Sequence, residues 1–211
     1  MKAFKVYSNA KGKMAGVSHI SLAAGQSPVC KVCEVRGICY AMRNQKFHPS
    51  IEKSYWENGV KLTERVYDMK DIPYVDSLFC RFNAFGELFT GEKGRNQLDN
   101  YILTCEKNPA VIFALWSRNY KFVEDYFKVV QRPANLRLMR STTRVDDPVY
   151  EVPEGWDGVF NVVTKDFAEK NGITVNCGVT NGEGDKIGCA RCKTGCYDLN
   201  AKGVVVFEIQ K

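Results

Sequence analysis

Residues Ala110–Trp116, AVIFALW, form a near-continuous apolar run between Pro109 and the polar trio Ser117, Arg118 and Asn119. A run this short reads as a strand, and a strand without polar alternation is one hidden from water on both faces. Such strands belong to parallel sheets whose crossover helices cover them. The surrounding chain agrees. Apolar residues at Ile51, Tyr55, Trp56, Val60, Leu62, Val66 and Tyr67 follow helical spacing and predict a helix over Pro49–Lys70, with Ser50 as its N-cap. Further helical patterns cover Asn96–Asn108, Tyr120–Gln131 and Lys165–Asn171, the first two ended by Pro109 and Pro133.

Six more stretches read as strands: Val17–Ala24, Val75–Phe82, Asn135–Ser141, Gly158–Thr164, Ile173–Val179 and Gly203–Gln210. Strands alternating with helices define an α/β protein with a mainly parallel sheet. No Gly-x-Gly-x-x-Gly follows any strand, so an incomplete or irregular (β/α) barrel is expected rather than a doubly wound sheet. No linker or low-complexity tract divides residues 1–211, which read as one domain.

Composition narrows the function classes. The 211 residues are 45% hydrophobic and 26% charged, too apolar for disorder and ordinary for a globular chain. No apolar run reaches the roughly 18–20 residues that span a bilayer, and the basic N-terminus lacks a signal-peptide core, so a cytoplasmic protein is expected. The net charge of +6 suits a phosphate or nucleic-acid partner, although Lys and Arg are interleaved with acids rather than gathered in a stripe. Tyr40, Phe47, Tyr55 and Trp56 would serve base stacking in a nucleic-acid module, but they fit the buried face of a helix more simply.

The nine cysteines are clustered, which in a reducing compartment points to metal or redox chemistry rather than disulfides. Cys80 and Cys105 lie in apolar stretches and read as small core residues. Cys177, Cys189, Cys192 and Cys196 make a full thiolate set for one Zn²⁺ or one iron–sulfur cluster, within a cysteine-rich segment at 177–196 whose Gly182, Gly184, Gly188 and Gly195 permit tight turns. Cys30, Cys33 and Cys39 form a C-x2-C-x5-C run with no fourth cysteine nearby; Glu34 or His48 would complete a zinc site. Left as three, they suit a [4Fe–4S] cluster with one iron open to ligand, whereas structural zinc takes four ligands. Both metals accept soft thiolates, so spacing leaves the alternatives open.

Polar residues collect where the strands end. Asn83 and Glu87 follow the second strand, Ser117 and Arg118 the third, Arg140, Ser141, Thr142 and Arg144 the fourth, and Thr164 and Lys165 the fifth. In parallel α/β proteins those ends form the functional face. Asn83, Glu87, Ser117, Arg118, Arg140 and Ser141 are therefore the candidate ligand-binding residues, suited to a small molecule carrying phosphate or carboxylate.

The segments ISLAAGQSPVCKVCEVRGICYA, RFNAFGEL, ALWSRN, LRLMRSTTR and CARCKTGC together resemble the phage Gene product 88-like family, whose members occur in phages and mobile elements. That family resembles the radical S-adenosylmethionine proteins, whose barrel carries a three-cysteine [4Fe–4S] site after its first strand. The resemblance implies a small iron–sulfur-dependent enzyme in a host cytoplasm, with Cys30, Cys33 and Cys39 holding the open-site cluster and Tyr40 beside it. It also implies an auxiliary cluster at Cys177, Cys189, Cys192 and Cys196, and S-adenosylmethionine as cofactor. The C-x2-C-x5-C spacing differs from the C-x3-C-x2-C of radical S-adenosylmethionine proteins, and a Gly-Gly-Glu segment is absent. A zinc-stabilised module binding nucleic acid or a host protein, and a plain electron carrier, are the alternative functions.

Overall fold

In the computed structural model, which describes residues 3–9, 11–178 and 187–210, seven strands form a single sheet whose order follows the chain. They are β1 (Tyr7–Ser8), β2 (Val17–Ile20), β3 (Phe79–Phe82), β4 (Ile112–Ser117), β5 (Leu136–Val145), β6 (Gly158–Val163) and β7 (Val204–Ile209). β1 pairs antiparallel with β2, and every later pair is parallel. Strand order without a reversal leaves no switch point, which separates this sheet from a doubly wound one. The sheet is open, with β1 and β7 at its edges. It curls enough for those edges to share an ion pair: Lys13, in the turn between β1 and β2, meets Glu208 of β7 at 2.6 Å.

The helices are α1 (Pro28–Lys31), α2 (Tyr40–Phe47), α3 (Pro49–Glu64), α4 (Gly91–Lys107), α5 (Tyr120–Phe127) and α6 (Lys165–Lys170). Among the described residues no helix is long and apolar enough to cross a membrane. β4 shows why its sequence lacks alternation. Phe113 and Leu115 join Ile20, Phe82, Leu136 and Leu138 in a core shared with Leu62, Leu98, Tyr101 and Val123 of the helices. Ala114 and Trp116 point the other way, into a second cluster with Val17, Met139, Val206 and Tyr197. That cluster is covered by Cys177, Cys189 and Cys196, so the C-terminal segment does on one face what helices do on the other.

Several boundaries differ from expectation for identifiable reasons. α3 stops at Glu64 rather than Lys70, because Asn100 of α4 takes over its end: Nδ2 donates to the carbonyls of Leu62 and Arg65, and Oδ1 accepts from Tyr67 N. The helix is capped by His48 rather than Ser50. α4 begins at Gly91, ahead of Asn96. Residues 173–178 form no strand; Asn176 instead meets the edge of β7 with its side chain, donating to Val205 O and accepting from Phe207 N. Val179, the last residue of that expected strand, and Gly182 and Gly184 lie outside the described residues. β5 runs on past Ser141 to Val145 through a register shift, so Thr142 and Arg144 lie within the strand.

Candidate functional site

The site is assembled where β2 to β5 end. β2 leads through Ser27, whose Oγ accepts from Val29 N and donates to Leu88 O, into α1. Cys30 lies in α1, Cys33 just after it, and Cys39 caps α2. Beyond β3 the chain turns sharply. Asn83 adopts φ 54°, and Gly86 has φ 77° with space for no side chain, since a Cβ there would lie 2.7 Å from Leu22 O. These turns enclose a cavity of about 590 Å³ bordered by Cys30, Cys33, Cys39, Asn83, Glu87 and Arg118. Ser141, Thr142 and Arg144 of β5 also border it, as do Arg81 and Trp116 on its inner face.

The expected residues divide into three groups. Asn83, Glu87, Arg118 and Ser141 reach the cavity, together with all three N-terminal cysteines. Ser117 acts one step behind: its hydroxyl donates to Glu87 Oε1 at 2.8 Å. Glu87 also accepts from Leu88 N and Arg118 N, both at 2.8 Å, and burial raises its pKa despite those bonds. Arg140 is not brought in, its guanidinium lying over the Tyr120 ring at 4.0 Å. Thr164 and Lys165 are likewise elsewhere, Thr164 capping α6 and Lys165 pairing with Glu169.

Glu34 is engaged by Arg144, at 2.6 Å, and this pair ties the cysteine loop to β5. His48 is exposed at the start of α3. Cys80 and Cys105 are buried core residues, as expected. The aromatics depart from expectation: Tyr55 is buried, but Tyr40, Phe47 and Trp56 are 51%, 71% and 52% exposed.

All nine cysteines are free thiols. Burial pushes Cys30 up to about 11, with Glu87, Cys39 and Cys33 adding to the rise. The C-terminal four form a second neighbourhood. Burial pushes Cys196 up to about 12, and Cys177, Cys192 and Cys189 all add to the shift. Among the described residues no three Cys, His, Asp or Glu side chains stand in a geometry that would hold a metal ion. Each cysteine set is nevertheless gathered in one place, and thiol sulfurs suit a soft metal. None of Cys177, Cys189, Cys192 and Cys196 borders the cavity. Lys13 connects the two regions: burial opposes its charge, but Glu208 and Cys177 hold its pKa above the ordinary value.

Sequence reasoning passed over Arg81 and Trp116, and read His19 as a first-strand side chain near the site, where it lies. Arg81 lies with its guanidinium over the Trp116 ring, 4.3 Å from the centroid. His19 is buried, its Nδ1 bonded to Ser21 Oγ at 2.8 Å; burial and then the Arg81 charge push it down to about 4, so it is neutral. The available signal was Arg81 itself, a charge set between Cys80 and Phe82 in an otherwise apolar strand.

Comparison with family models, curated proteins and solved structures returns no match for this chain. The class that fold and site define is thus an open, mainly parallel α/β sheet with a thiol-lined cavity at its strand ends.

Proposed function

We propose that the chain is an iron–sulfur protein of the phage Gene product 88-like, radical-SAM-related kind, with an incomplete barrel and an enzymatic cavity. Cys30, Cys33 and Cys39 would hold a [4Fe–4S] cluster beside that cavity. The cluster would supply one-electron chemistry to a ligand there. One observation carries the proposal: three thiols with no fourth cysteine border the same cavity as Asn83 and Glu87 beyond β3, Arg118 beyond β4 and Ser141 within β5. The residues' own work is to bind and enclose. Arg118 is fixed by its Nε bond to Thr142 O at 2.9 Å, and the Arg144–Glu34 pair holds the cysteine loop over the opening. S-adenosylmethionine is the cofactor the resemblance implies, and equilibrium binding to the iron-loaded protein tests it separately.

Protein purified without oxygen is expected to be brown, with iron matched by sulfide at about four per cluster. The triple variant Cys30→Ala, Cys33→Ala, Cys39→Ala should lose about four irons per chain. A triple variant with full iron content would refute the ligand assignment. A colourless wild type holding only zinc would refute the redox role.

A second reading concerns the C-terminal set alone. Cys177, Cys189 and Cys196 pack against the apolar inner face and away from the cavity, which favours a structural centre over a reactive one. Zinc is then the alternative to an auxiliary cluster, since structural zinc takes four filled positions. Metal analysis of the triple variant separates them, because whatever it retains belongs to this set.

A further inference from the structure

Three buried N–H donors border the cavity without a protein acceptor among the described residues: Arg81 Nε, Asn83 Nδ2 and Trp116 Nε1. Their convergence follows from the sheet. Phe82 pairs with Leu115, so the residues immediately after them, Asn83 and Trp116, stand at neighbouring positions on adjacent strands, and Arg81 stacks on the Trp116 ring.

Each donor is held in place. Asn83 Oδ1 accepts from Tyr101 Oη at 2.8 Å and from Gln97 Nε2 at 3.4 Å, which fixes the amide with Nδ2 outward. Asn83 is also one of two non-glycine residues with positive φ among the described residues, a backbone placement that recurs at binding sites. Stacking on Trp116 occupies the face of the Arg81 guanidinium but leaves its in-plane N–H groups free. No salt bridge among the described residues engages Arg81; burial opposes its charge, nearby Tyr40, Tyr197, Cys189 and Glu208 favour it, and Glu208 is taken by Lys13 at 2.6 Å. The neighbouring His19 is neutral and bonded to Ser21. The walls above are apolar and aromatic, with Val29, Tyr40, Phe85 and Phe160.

A fixed cation and two fixed neutral donors complement an oxyanion, and the Glu87 carboxylate that also borders the cavity is already taken by Ser117, Leu88 N and Arg118 N. We propose that the floor of this cavity is a subsite for the carboxylate or phosphate of a small ligand whose apolar or aromatic body lies against the walls above, with Arg81, Asn83 and Trp116 as its donors. The inference rests on reading the cavity as the ligand site, but not on the metal.

The test uses phenyl phosphate, benzoate and uncharged benzyl alcohol as probes, with the indole N–H resonance of Trp116 as readout, assigned by Trp116→Phe. Wild-type protein and the triple cysteine variant are titrated in parallel. The two anions are expected to shift the resonance and benzyl alcohol is not; whichever anion binds more tightly identifies the ligand group. Arg81→Met should weaken anion binding at least tenfold. Trp116→Phe, read by calorimetry, should weaken it several-fold while keeping the stacked ring. Anion binding with no iron in the wild type would overturn the cluster and leave the subsite standing. Iron present without anion binding, or affinity unchanged in a folded Arg81→Met, would overturn the subsite alone.

Discussion

Tyr101→Phe separates the support of the site from its lining. The Tyr101 hydroxyl donates to Asn83 Oδ1 at 2.8 Å and accepts from Gln97 Nε2 at 2.9 Å. Burial holds this phenol well above its usual pKa, so it is always a donor. The ring stacks on Phe82 with centroids 4.0 Å apart, a contact that phenylalanine retains. The substitution therefore removes a buried hydroxyl and leaves two partners with only their own 3.4 Å contact. Leaving buried polar groups poorly paired costs about 1–3 kcal/mol. For a chain of this size that lowers Tm by about 2–4 °C per kcal/mol, so by about 4–8 °C at the middle of the range. The consequence for the site is separate. With its oxygen no longer pinned, the Asn83 amide can turn and present oxygen to the cavity, weakening phenyl phosphate about tenfold. Thermal melting by circular dichroism and the same probe titration read the two effects. A melt within about 1 °C of wild type would refute the hydrogen-bond argument. A lowered melt with unchanged affinity would refute the positioning of Asn83.

Three further outcomes are expected. Tyr55→Ala should cost about 3–5 kcal/mol in urea unfolding, whereas Phe47→Ala and Trp56→Ala, which remove exposed rings, should each change stability by less than about 0.5 kcal/mol. His19 has its folded pKa pushed down to about 4, so the unfolded chain binds the extra proton; stability is full above about pH 6.5 and is lost as pH falls toward 4, by about 2 kcal/mol at about pH 5. His19→Gln should remove that share of the acid sensitivity, and an identical pH profile would contradict it. Arg137, buried, donates to the carbonyls of Asp198 and Ala201 just beyond Cys196. If both cysteine sets hold metal as proposed, Arg137→Met should let chelator strip the C-terminal set at about tenfold lower concentration while any iron at Cys30, Cys33 and Cys39 is unaffected, and equal loss from both sets would refute the separation.

The parallel sheet was legible because its core strands are covered on both faces, which leaves a plain apolar run in β4 and shorter versions in β6 and β7. What misled was local pattern overruled by a single side chain. Asn100 cut α3 short by binding its last carbonyls, although the apolar spacing continues to Tyr67. Asn176 replaced a strand at the β7 edge by supplying a donor and an acceptor of its own. The start of α4 was hidden by two glycines, yet Gly94 is there because a Cβ would lie 2.3 Å from Phe89 O and 2.7 Å from Phe122. The exposed rings of Phe47 and Trp56 fit the periodicity of a buried face, and periodicity alone does not reveal which helices lack a covering layer.

The site was legible at its rim and, apart from Asn83, illegible at its floor, for one physical reason. Rim residues such as Glu87 and Arg118 follow strand ends, and the rule that function gathers there finds them without knowledge of the inner face. The floor is made from within strands, where side chains alternate between a helix-covered core and the cavity. In β3, Cys80 and Phe82 enter the helix-side core, while Arg81 takes the opposite face over Trp116. Where both faces are buried, alternation carries little contrast, so an arginine between Cys80 and Phe82 reads as an interruption in a strand. It becomes informative only when the opposite face is seen to lead into a cavity whose carboxylates, Glu87 and Glu208, are engaged by other residues. A charged residue within an otherwise apolar strand of a parallel sheet is costly to bury alone. Its sequence signature therefore calls for a partner, which Arg137 of β5 finds in the carbonyls of Asp198 and Ala201 and which Arg81 would find in a ligand.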